Sequence, residues 1–152
     1  MTLTQKETML LKDLVSQEQL CVEKYTKYST EALDGQLKNL FNHLGQVERQ
    51  HIDTLNQIMS GTVPSMNSGG SGNTAPVITP TYTENCPDKE KDKFLCADAL
   101  AMEKHVSAEY NTCIFEFSDV GLRDVLNHIQ KEEQEHGEKI YNYMSQNGMY
   151  NA

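Results

Sequence analysis

The sequence predicts an all-α fold, a four-helix bundle made of two repeated helical hairpins joined by a long crossover connector. Three observations predict it. Apolar residues recur at spacings of three, four and seven through four separate stretches. The first half of the chain repeats in the second at an offset of 85 residues without a gap. Between the halves lies a Gly/Ser/Pro-rich segment that breaks the helical pattern.

The repeat is clearest where Leu37–Leu44 meets Leu122–Ile129. The same offset pairs Asp13 with Asp98, Glu18 with Glu103, Tyr25 with Tyr110, Asp34 with Asp119, Glu48 with Glu133 and His51 with His136. A long period with only two copies does not suit a solenoid, which stacks at least three units. It predicts one domain over 1–152, built as a hairpin over 3–60, a connector over 61–87, a hairpin over 88–147 and a short tail over 148–152.

The helices follow in order. Thr4-Gln5-Lys6-Glu7 reads as a capping box that starts the first helix, whose apolar face is Leu10, Leu11, Leu14, Val15, Cys21, Val22 and Tyr25. Asp34-Gly35 breaks it, and Asp34 can cap the second helix, faced by Leu37, Leu40, Phe41, Leu44, Ile52, Leu55 and Met59. The connector holds all four prolines and the tract Ser68–Asn73, which predicts a mobile segment. Leu95, Ala99, Met102, Val106, Tyr110 and Cys113 face the third helix. A break at Ser118–Gly121 precedes the fourth, which ends near Gly148. With the second and third helices parallel, the connector must run the bundle's length, about 40 Å at 1.5 Å per residue. An extended chain of this length spans that easily.

Composition excludes several functions. The net charge is −9, from 22 acidic and 13 basic residues, which argues against nucleic acid and anionic membrane as partners. No apolar run approaches the roughly 20 residues of a membrane span. Met1–Glu7 has no basic region followed by an apolar stretch, which predicts no signal peptide and synthesis in the cytoplasm. Cys21, Cys86, Cys96 and Cys113 form no C-x-x-C pair, so they read as reduced thiols, and a Cys86–Cys96 bridge has no spacing argument behind it.

The chemistry lies in two Glu-x-x-His motifs, Glu48-Arg49-Gln50-His51 and Glu133-Gln134-Glu135-His136. Each puts a carboxylate and an imidazole one turn apart on one helical face. Each has a Glu 30 residues upstream, Glu18 or Glu103. This is the ligand pattern of dinuclear carboxylate sites in helical bundles. Four carboxylates in a bundle core repel and are costly to desolvate, and two divalent cations offset them. Oxygen donors with one imidazole per metal suit two irons or two manganeses better than a tetrahedral zinc. Tyr25 and Tyr110, seven residues after Glu18 and Glu103, share their stripe and can hydrogen-bond the ligand carboxylates. The competing reading is a set of solvated faces on a duplicated hairpin, with the tyrosines as ordinary packing. His43 and His128 also repeat but lie around the helix from the motifs and read as capping or surface residues. Glu132 and Glu135 are set aside as ligands, because Val47 and Gln50 occupy their places in the first half. Glu23 and Glu109 do not match across the repeat and read as solvent-facing, with Glu109 an extra carboxylate if the site shifts.

At these residues the chain resembles the ferritin-like superfamily, its rubrerythrin-type branch in particular. Glu18–Tyr25 with Glu48-x-x-His51 is similar to the first half of such a bundle, and Glu103–His136 to the second. The resemblance implies a centre in which the four glutamates bridge or chelate and His51 and His136 each cap one metal. It implies redox chemistry towards peroxide or dioxygen, of catalase, peroxidase or ferroxidase type, with iron storage a further reading. The rubredoxin-like cysteine module that rubrerythrin carries is absent.

The second half carries another resemblance. Asp92-Lys93-Phe94-Leu95, Ile140–Met144 and Gly148-Met149-Tyr150 are similar to the spore coat protein F family of endospore-forming bacteria, over about Asp88–Ala152. This implies synthesis in the mother cell, deposition in the spore coat or on the spore surface, and partners that are further copies of the chain or other coat proteins. Under it the alternative function is a purely structural coat-assembly protein whose metal site is vestigial or structural.

Overall fold

In the computed structural model, residues 1–65 and 75–150 are described. They form four helices: α1 (Gln5–Glu31), α2 (Gly35–Met59), α3 (Pro87–Glu116) and α4 (Val120–Gln146), with no strand among the described residues. The tract Ser68–Asn73, expected to be mobile, lies outside the described residues, as do the last two residues of the tail.

Local chemistry starts each helix. The Thr4 hydroxyl accepts from Glu7 N at 3.1 Å, and the Glu7 carboxylate accepts from Thr4 N at 2.8 Å, closing the expected capping box. Asp34 and Asp119 cap α2 and α4 by accepting from Gln36 N and Leu122 N. α3 begins at Pro87 rather than one residue later, because proline suits the first helical position, where no amide partner is needed. The break before α4 covers Phe117–Asp119, so Val120 and Gly121, expected in the break, belong to the helix. Past α4, Gly148 takes φ +65°, a left-handed conformation that ends the helix.

The helices pair as α1 with α2 and α3 with α4, and α1 packs on α3 to join the hairpins. Lys6 near the start of α1 meets Glu116 at the end of α3, so α1 and α3 are antiparallel and α2 runs parallel to α3. The described ends of the connector lie apart along the bundle: Pro64 and Ser65 line one cavity with His51 and His128, while Thr79 and Thr81 meet Gln36 and Asn147. Leu11, Leu14, Leu37, Leu40, Phe41, Leu44, Leu55, Ile58, Leu126 and Ile140 are fully buried between the helices. Each contributes about 1.5–3 kcal/mol by leaving water.

Two buried carboxylates tie each hairpin to the loop of the other. Asp92, at the start of α3, accepts from Leu33 N at 2.8 Å, Asp34 N at 2.9 Å and the Tyr82 hydroxyl at 2.6 Å. Glu7, its equivalent in the repeat, accepts from Ser118 N in the α3–α4 turn. Truncating Asp92 leaves buried amides without partners. Asp92→Ala should lower stability by about 2–4 kcal/mol in urea unfolding, whereas Lys27→Ala, which removes an exposed ion pair to Glu31, should lower it by less than about 1 kcal/mol.

Candidate metal centre

All six predicted ligands meet at mid-bundle, none more than 2% exposed. α1 contributes Glu18, α2 Glu48 and His51, α3 Glu103, and α4 Glu133 and His136. They form two overlapping groups, Glu18/Glu48/His51/Glu133 and Glu48/Glu103/Glu133/His136, whose candidate ligand atoms all lie within 4.8 Å of one another. Glu48 and Glu133 are common to both.

The atoms show how the sharing works. His51 Nδ1 lies 3.1 Å from Glu48 Oε2, 3.0 Å from Glu133 Oε1 and 3.4 Å from Glu18 Oε1. His136 Nδ1 lies 2.7 Å from Glu48 Oε1, 3.2 Å from Glu103 Oε1 and 3.6 Å from Glu133 Oε2. Glu48 and Glu133 thus offer one oxygen to each histidine, while Glu18 and Glu103 each serve one. The two imidazoles stack with centroids 5.9 Å apart.

The tyrosines act across the bundle. Tyr25 donates to Glu103, and Tyr110 donates to Glu18. Each hydroxyl therefore serves the opposite hairpin rather than the glutamate on its own helix. Both phenols are raised well above their ordinary range, first by burial and then by the carboxylates beside them, so they stay protonated donors.

Glu132 is the residue that the repeat logic missed. Its Oε1 lies 3.6 Å from His51 Nε2 and 2.9 Å from His128 Nε2. Its first-half counterpart is Val47, so comparison of the halves removed it, although the His128–Glu132 spacing of one turn was visible. His43 is buried rather than on the surface, while His128 is exposed and paired with Glu132. Glu23 is exposed and Glu109 half-buried beside His105. All four cysteines are free, three of them buried.

The donor set fits metal ions. Glu18 Oε2, Glu103 Oε2 and Glu133 Oε2 are buried carboxylate oxygens without a hydrogen-bond partner, an unfavourable arrangement unless a cation or proton meets them. Burial, followed by the neighbouring carboxylates, pushes Glu48 up to about 7 and Glu103 up to about 8, and also raises Glu133. Burial alone would lower both imidazoles, but the surrounding carboxylates hold His51 and His136 well above the usual range. Burial also opposes ionisation of Glu18, yet hydrogen bonds from its neighbours and the His51 charge bring it down to about 2. Metal-free, the cluster retains protons at neutral pH that bound cations displace.

A Coat F domain family model matches residues 91–152, which covers most of α3, all of α4 and the tail. No curated protein and no solved structure matches the chain. Glu103, Glu133 and His136 fall inside the matched region, and Glu18, Glu48 and His51 outside it.

The proton ledger sets a pH dependence. Folded-state values of Glu48 and Glu103 exceed the ordinary 4.5, so the folded metal-free chain binds more protons than the unfolded one across roughly pH 5–8. Its melting temperature should fall as pH rises through that window. The raised histidines act in the same direction, with their stabilisation present below the ordinary 6.5 and lost above their folded values. Added Mn²⁺ or Fe²⁺ should reverse the trend, since binding releases protons and tightens with pH. Thermal melts at pH 5.5, 6.5 and 7.5 with and without metal check this; a metal-free melting temperature that rises across the series contradicts it.

Proposed function

We propose that the chain is a ferritin-like, dinuclear metal-binding bundle, holding two irons or two manganeses through Glu18, Glu48, His51, Glu103, Glu133 and His136. We further propose that the centre reacts with peroxide or dioxygen, and that the chain serves in the spore coat or at the spore surface with further copies of itself or other coat proteins. One observation carries the metal reading: two four-residue clusters in the bundle core share Glu48 and Glu133. Sharing of two carboxylates is what a pair of adjacent cations requires. The match of residues 91–152 to the Coat F domain supports the coat assignment.

Bound there, the metals would supply the electron transfer that a small oxidant needs. The residues do the rest. Glu48 and Glu133 hold the two positions together, and the Nδ1 atoms of His51 and His136 face one position each. Tyr25 and Tyr110 fix Glu103 and Glu18 by O–H donation, which leaves the other oxygen of each free to ligate. Glu132 lies 3.6 Å beyond His51 Nε2, too long for a hydrogen bond, so it acts on the ring through its charge.

The structural reading draws on a different feature. Phe94 and Phe115 on α3 are 71% and 83% exposed, and large exposed apolar side chains suit packing into an assembly. Turnover separates the two. Elemental analysis of the chain purified without chelator should find about two irons or manganeses per chain, lost in His51→Ala/His136→Ala; no transition metal after anaerobic loading ends the metal reading. Peroxide removal by the loaded chain should exceed that of Glu133→Ala by at least tenfold, and equal rates leave only the structural role. Tyr25→Phe and Tyr110→Phe should each weaken metal affinity about 10–100-fold in competition titrations.

A further inference from the structure

The two halves of the bundle surround the centre differently. A surface cleft of about 590 Å³ lies between α3 and α4 and runs down to Glu103 and Glu133. Leu100, Ser107, Gly137 and Tyr141 line it. At the matching height the first hairpin carries Val15, Val22, Ile52 and Asn56 in their places. The replacements that open the second groove are Ser107 for Val22 and Gly137 for Ile52. A Cβ on Gly137 would stand 3.6 Å from Leu100 Cδ1, so a longer side chain there would extend across the cleft towards that wall.

We propose that this cleft is the route by which a small neutral oxidant, of the peroxide or dioxygen class, reaches the centre, and that Gly137 keeps it open. The proposal rests on the redox reading above and adds direction and a gate residue to it. The lining selects the ligand class. Glu103, Glu133 and Glu138 line the cleft and repel anions, while Lys104 opposes a cation and the mainly apolar surface gives it little in exchange for its water. A small neutral molecule meets neither barrier. Another opening reaches His51, but it is about 170 Å³ and borders Glu132 and His128. It therefore approaches the outer, Nε2 side of the ring, while Nδ1 faces the carboxylates. Of these two openings among the described residues, the one between α3 and α4 borders the carboxylates, at the Glu103 end.

Nitric oxide, neutral and diatomic, is the probe, mixed by stopped flow with the full chain loaded anaerobically with Fe²⁺. Gly137→Ile restores the residue of the first hairpin and should leave iron content unchanged while slowing formation of the iron–nitrosyl absorption at least tenfold. Ser107→Val, a smaller change, should slow it several-fold and decides the matter if Gly137→Ile does not fold. Wild-type rates in variants that carry a full iron complement overturn the route and leave the metal reading standing. A wild-type chain that takes up no iron overturns both.

Discussion

Four carboxylates share a dry space at the middle of this bundle, and much of the polar architecture answers their mutual repulsion. Glu18, Glu48, Glu103 and Glu133 are essentially removed from solvent, where unscreened like charges interact far more strongly than in water. Two imidazoles lie between them, two tyrosine hydroxyls donate to them, and three carboxylate oxygens still lack a partner. α2 and α4, which carry the Glu-x-x-His motifs, pack far less closely on each other than α1 on α2 or α3 on α4, and the cluster occupies the space between them. A core built for stability alone would fill this space with apolar side chains, since replacing buried ionic groups by well-packed hydrophobes is often neutral or stabilising. Such a cluster is best accounted for by a ligand of opposite charge.

The same constraint explains why the hairpins hold each other. Glu18 belongs with His51 and Glu103 with His136, so each hairpin carries most of one cluster. Glu48 and Glu133 complete both clusters, and Tyr25 and Tyr110 each reach across to the other hairpin's glutamate. Away from the centre, Asp92 and Glu7 repeat the exchange at opposite ends, each capping the turn of the other hairpin. The two-fold pattern lapses where charge balance does not enforce it. Glu132 replaces Val47, Val106 replaces Cys21, and Gly137 replaces Ile52. These differences lie around the cluster rather than within it, and they make its two ends unequal: Glu132 lies near His51 Nε2 at one, and a surface cleft between α3 and α4 borders Glu103 at the other.

Much of this was legible in the sequence because it is written in local chemistry and in the repeat. The capping box at Thr4 and Glu7, the cap at Asp34 and the apolar faces follow from rules that act within a few residues. The offset brought Glu18, Glu48 and His51 into register with Glu103, Glu133 and His136. What escaped depends on how helices meet. Periodicity put Tyr25 on the stripe of Glu18, but a tyrosine is long enough to cross the bundle, and its partner is Glu103. Comparison of the halves discarded Glu132 because it treats symmetry as necessary for function, whereas a residue supporting one imidazole needs no twin. The burial of His43 and the path of the connector against His128, Gln36 and Asn147 are likewise tertiary facts with no local signature.

The match to the Coat F domain and the metal cluster bear on each other in a specific way. The matched region, 91–152, supplies Glu103, Glu133 and His136 but none of the ligands from α1 and α2. A single hairpin of this kind offers two carboxylates and one imidazole along an open face, where water solvates them and nothing demands a metal. Only when a second hairpin with Glu18, Glu48 and His51 covers that face do four carboxylates become buried together, and only then does the balance of charge call for cations. The buried Glu/His cluster is therefore a property of the paired hairpins rather than of the matched segment. Likeness to the Coat F domain bears on the second hairpin alone, while the buried cluster depends on the duplication, and its surroundings on the residues at which the two copies no longer agree.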